Sequence, residues 1–136
     1  MVEIINAVPG ATFVPSTPFQ LRGERVVLDW DIVITAGARV EWFLEFTSDN
    51  PLAATARWRR EVAEEDVGGG VTDMPQVVRN FQVLGGGVLP TGTHRLSAQM
   101  VRAHNFARIQ VRVASGTVTG LNVFAVFGTS VSAPQT

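Results

Sequence analysis

The sequence predicts an all-β chain folded as a single antiparallel β-sandwich, of jelly-roll or immunoglobulin-like type, with seven to nine strands. Three observations carry this. Apolar residues recur with a period of two through most of the chain. Turn signals punctuate it at spacings typical of sandwiches. No stretch sustains the 3.6-residue apolar period of a helix.

The 136 residues are one domain's length, enough to bury a core without disulfides or metals. The expected divisions are an extended N-terminal arm over residues 1–23, the sandwich over 24–128 and a flexible tail over 129–136. The arm carries Pro9, Pro15 and Pro18, which favour extended backbone, with a short strand from Val2 to Ala7.

The first long strand runs from Arg25 to Thr35. Val26, Leu28, Trp30, Ile32 and Ile34 share one face; Val27, Asp29, Asp31 and Val33 share the other. Ala36-Gly37 reads as a turn, and a second strand follows from Arg39 to Thr47, with Val40, Trp42, Leu44 and Phe46 inward. A hairpin with Ile34 opposite Val40 makes every inward pair apolar, which specifies the register. It also sets Asp29 opposite Glu45, a mildly unfavourable like-charge pair. A third strand, Ala54 to Glu64, supplies Arg57 and Arg59 as partners for Glu45, so the outer face becomes an acid–arginine ladder.

Asp66 to Pro75 reads as a loop. Gln76 to Leu84 alternates weakly and reads as a short strand. Gly85-Gly86-Gly87 and Leu89 to Gly92 form a flexible connection. Thr93 to Val101 is a strand with Leu96, Ala98 and Met100 inward. Ala103-His104-Asn105 turns the chain into Ala107 to Ala114. Ser115-Gly116 is a tight turn, and Thr117 to Phe127 is the last strand. Leu121, Val123, Ala125 and Phe127 fill one of its faces, while Phe124 and Val126 stand on the other. Apolar residues on both faces predict that both are covered, the second by a partner.

Composition excludes several chemistries. There is no Cys, hence no disulfide, thiolate metal site or cysteine nucleophile. There is no Tyr and, by count, no Lys, hence no Schiff base. No apolar run reaches the length of a membrane-spanning helix, and the N-terminus lacks the pattern of a signal peptide. The net charge of −1 argues against general nucleic-acid binding. The charges are segregated: all twelve acids lie between Glu3 and Asp73, against six arginines there, a sum of −6. The remaining 63 residues carry five arginines and no acid.

Asp29, Asp31 and Glu45 have the ligand chemistry of a calcium site or of a glycosidase carboxylate pair, but alternation alone accounts for their spacing. His94 and His104, at opposite ends of one strand, make no zinc set. No nucleophile-elbow motif stands behind a serine triad. Neither glycine triplet has the ending of a phosphate loop. Trp30, Trp42 and Trp58 fall on inward phases and are expected to form one core cluster, which leaves Phe43 as the exposed aromatic. The late arginines are expected to match an acidic surface, in the first half of the chain or on a neighbouring subunit. The expected interface residues are Arg95, Arg108, Arg112, Phe124, Val126, Asp29, Asp31 and Phe43, with no catalytic, metal or cofactor-binding residue.

The segments Thr93-His94-Arg95-Leu96-Ser97-Ala98 and Phe106-Ala107-Arg108-Ile109-Gln110-Val111-Arg112-Val113-Ala114-Ser115-Gly116-Thr117 resemble small β-sandwich structural proteins of tailed bacteriophages. These carry an aromatic-x-Arg-(Ile/Val)-x-Val strand ending in a Gly-Thr turn, after a Trp-containing hairpin; here Val40 to Trp58 fits that position. The resemblance spans residues 25–127. It implies a non-enzymatic virion component, foremost a capsid decoration (cement) protein, otherwise a head–tail or tail accessory protein. A carbohydrate- or receptor-binding tail module is the alternative. The implied partners are a major capsid protein and further copies of the chain, with a trimer favoured, and neither nucleic acid nor membrane. The implied location is the capsid surface, after synthesis in the host cytoplasm. The N-terminal segment and the tail are expected to act as arms on neighbouring subunits.

Overall fold

The computed structural model describes residues 1–21, 25–60, 78–81, 87–100 and 105–128. Its strands are β1 (Val2–Ile5), β2 (Val14–Pro15), β3 (Phe19–Gln20), β4 (Arg25–Thr47), β5 (Arg59–Arg60), β6 (Arg79–Asn80), β7 (Gly92–Met100) and β8 (Phe106–Gly128). The described residues are all-β, without helix, and form one curled antiparallel sheet. The expected loop at 66–75, the first glycine triplet, Glu64 to Asp66, Arg102, His104 and the tail from 129 onward lie outside the described residues, as do parts of the expected strands over 54–64 and 76–84.

The two expected hairpins do not form. Residues 25–47 are one strand of 23 residues, and so are residues 106–128. The two pair with each other over their whole length, from Arg25↔Gly128 to Thr47↔Phe106, with register shifts between Val33 and Val40. The apolar match is kept in this arrangement: Trp30 faces Val123, Ile32 faces Leu121, Trp42 faces Val111 and Leu44 faces Ile109. The electrostatics differ. The hairpin would oppose Asp29 and Glu45, whereas the observed ribbon opposes Glu41 to Arg112 and Glu45 to Arg108. Both alternatives bury the same inward phase, so charge favours the ribbon.

Ala36-Gly37 and Ser115-Gly116 therefore mark a corner instead of two chain reversals. Gly116 has φ +79°, where a side chain is strained. A Cβ there would overlap the Gly37 carbonyl oxygen and come within 2.6 Å of the Ala38 Cα. The small residues let the two strands bend together. Ala38 and Leu89 pin the corner by exchanging backbone hydrogen bonds of 2.9 and 2.7 Å.

The corner divides the ribbon into two halves. In the first, the strand order is β1, the second half of β8, the first half of β4, then β7. In the second, β2 and β3 flank the first half of β8, and β5 and β6 flank the second half of β4. The inner faces meet across the curl. Trp30 lies 5.2 Å from Trp42 and 5.0 Å from Phe81 between ring centroids, and Phe19 lies 6.5 Å from Phe127. The core holds Leu28, Trp30, Ile32, Val40, Ile109, Val111 and Val123 among others. Trp58 is not in it. The expected three-tryptophan cluster reduces to Trp30 and Trp42, because at position 58 the chain has only begun to approach the β5 edge.

The N-terminal segment follows β8 from Ala125 down to Phe106. It contributes Ile4, Phe19 and Leu21 to the core. Ser16 locks it midway: its N–H donates to the Ile109 carbonyl and its hydroxyl accepts from the Ile109 N–H. It is thus part of its own chain's sheet.

Candidate functional site

The eight expected interface residues separate onto two outer faces. Phe43, Arg108 and Arg112 lie on the outer face of the second half. Asp29, Asp31, Arg95, Phe124 and Val126 lie on that of the first.

The second-half face is knitted together within the chain. Glu41 accepts from Arg39 (2.8 Å) and from two nitrogens of Arg112 (2.6 and 2.8 Å). Glu45 accepts from Arg108 and Gln110, both at 2.8 Å. Three guanidiniums stack on rings: Arg60 over Phe43 at 3.7 Å, Arg108 over Trp58 at 4.1 Å and Arg112 over Phe13 at 4.5 Å. Phe13 also meets Phe43 edge-on at 4.9 Å. Phe43 is consequently only 7% exposed. It is not the free aromatic that its outward phase predicts, because the N-terminal segment and Arg60 cover it. The expected acid–arginine ladder is present with other partners. Arg57 holds Asp49, through its backbone N–H at 2.8 Å and its side chain at 3.1 Å, while Glu45 takes Arg108.

The Arg39 guanidinium, with Arg112 behind it, holds the Glu41 carboxyl below its ordinary value against an opposing effect of burial. Arg57 does the same for half-buried Asp49. Each carboxylate is stabilised in its charged form by donors fixed beside it.

The first-half face is less satisfied. Asp29 accepts one bond, from the Ser97 hydroxyl at 2.7 Å. Asp31 stands opposite Arg95 and Asn122 in the sheet, and Arg95, like Asp31, is exposed. Neither has a hydrogen bond or ion pair among the described residues. Asn122 donates to Glu3 and Asn6, both at 3.0 Å. Phe124 and Val126, half-buried, sit between Asp29 and Val27 on one side and β1 on the other. Val33, 39% exposed, extends the apolar part. Glu3 belongs to this face through its register with Phe124, which alternation along a single strand cannot reveal.

The calcium reading of Asp29, Asp31 and Glu45 fails on this geometry, since Glu45 is on the other half with Arg108. Among the described residues no group of three or more His, Asp or Glu is placed to hold a metal ion. His94 donates to the Pro90 carbonyl at 2.7 Å. Two clefts of about 400 Å³ run beside the N-terminal segment near the corner and are lined by residues such as Val8, Gly10, Val14 and Thr117, with no titratable side chain. No helix among the described residues is long and apolar enough to cross a membrane. The chain matches no protein-family description, no curated protein and no solved structure.

Proposed function

We propose that this protein is a non-enzymatic structural component of a tailed-phage virion, a decoration protein that binds the capsid surface and stabilises the shell. We further propose that the curled sheet is an antiparallel β-sandwich, of jelly-roll or immunoglobulin-like type, since its inner faces meet at Trp30–Trp42 and Phe19–Phe127. The virion assignment rests on the strand–turn resemblance over residues 93–98 and 106–117.

The observation that carries the docking role is the first-half outer face. It combines half-buried Phe124 and Val126 with carboxylates that lack full in-chain partners among the described residues. Next to it stands a second-half face whose carboxylates Glu41 and Glu45 are both paired. An apolar centre with a charged surround is the usual anatomy of a protein interface. The sugar-binding alternative asks for an exposed aromatic platform. Trp30 and Trp42 are buried, Phe43 is covered and Trp58 lies against Arg108. The mechanism is linkage: a protein that binds only the assembled shell stabilises it, and the effect grows with the logarithm of one plus the ratio of its free concentration to its dissociation constant.

The test is co-sedimentation with shells assembled from the major capsid protein encoded nearest its gene. The chain pellets with the shells and raises their melting temperature, and Phe124→Asp abolishes both effects while leaving the chain's own melting curve cooperative. A chain that stays in the supernatant with every shell form overturns the proposal.

A further inference from the structure

The two outer faces carry opposite charge. On the first half, Glu3, Asp29 and Asp31 stand against Arg95, a balance of −2 among the described side chains. On the second half, Arg39, Arg60, Arg108 and Arg112 stand against Glu41 and Glu45, a balance of +2.

Their hydrogen-bonding capacity is complementary as well. A guanidinium has five N–H donors. Arg39 spends its Nε on Glu41 and Arg108 spends its Nε on Glu45, which leaves their terminal nitrogens to donate. The arginine face therefore holds surplus donors. The acidic face holds surplus acceptors: among the described residues Asp31 accepts nothing and Asp29 accepts one bond. The guanidiniums stacked on Phe43, Trp58 and Phe13 are already ordered, so a new bond to them costs less side-chain entropy.

Pairing the acidic face with its own copy across a two-fold axis would set carboxylates against carboxylates. Pairing acidic face to arginine face neutralises both.

We propose that the acidic face of one copy seats on the arginine face of a second copy, head to tail. This deepens the docking role assigned above to the first-half face and rests on it. Such a contact is heterologous: it closes into a ring if the rotation between copies permits, and otherwise continues as a stack.

Light scattering on the full chain, with and without salt, tests this. The wild type gains mass with concentration at low ionic strength and loses it as salt is raised, because its contact pairs charges. Asp29→Asn/Asp31→Asn neutralises one face and Arg39→Gln/Arg60→Gln the other. Each double variant alone self-associates about tenfold more weakly. Mixed, the two restore one intact contact and form 1:1 pairs, the signature of a heterologous interface. Melting curves confirm that both variants are folded, and the salt dependence of the wild type stands as the readout if either is not. A wild type that is monomeric at every concentration and salt overturns the proposal, as does a mixture that forms no pairs. Shell binding by a monomeric wild type would leave the docking role in place while removing this partner.

Discussion

Glu41 is held by two arginines from different strands, one two residues away and one 71 residues away. Bonds to a charged, nearly buried group are each worth about 1.5–3 kcal/mol. Its carboxyl is held below the ordinary value, so its contribution is fully present above the unfolded-state value and is lost as pH falls through the lower folded-state value. Glu41→Gln should therefore cost about 1–3 kcal/mol in urea unfolding at neutral pH, and the difference from wild type should shrink on acidification below about pH 4. A difference that stays constant through the acid range would show that the charge on Glu41 is not what the arginines stabilise.

At this scale the sequence shows the right residue types on the outward phases, but not their partners. Alternation places Glu45 and Arg108 outward without relating them. Local spacing offers Arg57 and Arg59 to Glu45, whereas the fold brings it a guanidinium 63 residues away. Phe43 departs from its expected exposure for the same reason, since its cover, Phe13, lies on a segment whose route along β8 no local pattern reveals.

At the scale of elements, the inward and outward phases of both long strands are as the alternation predicts, from Val26 to Phe46 and from Ile109 to Ala125. Connectivity is not legible. A small-residue pair permits a reversal and equally permits a shared bend, and both bury the same face. The like-charge opposition of Asp29 and Glu45 is the one local sign against the hairpin. The corner makes its own prediction. Gly116→Ala adds a Cβ against the Gly37 carbonyl at φ +79° and should cost at least about 1–3 kcal/mol, read as a lower urea midpoint with an unchanged slope. An unchanged midpoint would mean that the two strands do not approach as closely as the bend requires.

At the scale of the whole molecule, the linear segregation of charge becomes a spatial one. The late arginines Arg108 and Arg112 find Glu45 and Glu41 in the first half of the chain, and this consumes the acids of one outer face. The acids of the other face, Asp29 and Asp31, have no comparable supply, since among the described late arginines only Arg95 stands beside them. On one face the carboxylates Glu41 and Glu45 are paired by their own chain; the other is left with acids unpaired among the described residues and with half-buried apolar groups to present outward.

Hydroxyl-radical footprinting of Phe124 tests this division most directly, with Leu52, 85% exposed in a turn remote from the ribbon's first half, as the internal reference. Phe124 oxidation should fall relative to Leu52 as the chain is concentrated at low salt, and fall again when capsid shells are added. Phe124 oxidation that keeps the same ratio to Leu52 under all of these conditions would contradict it.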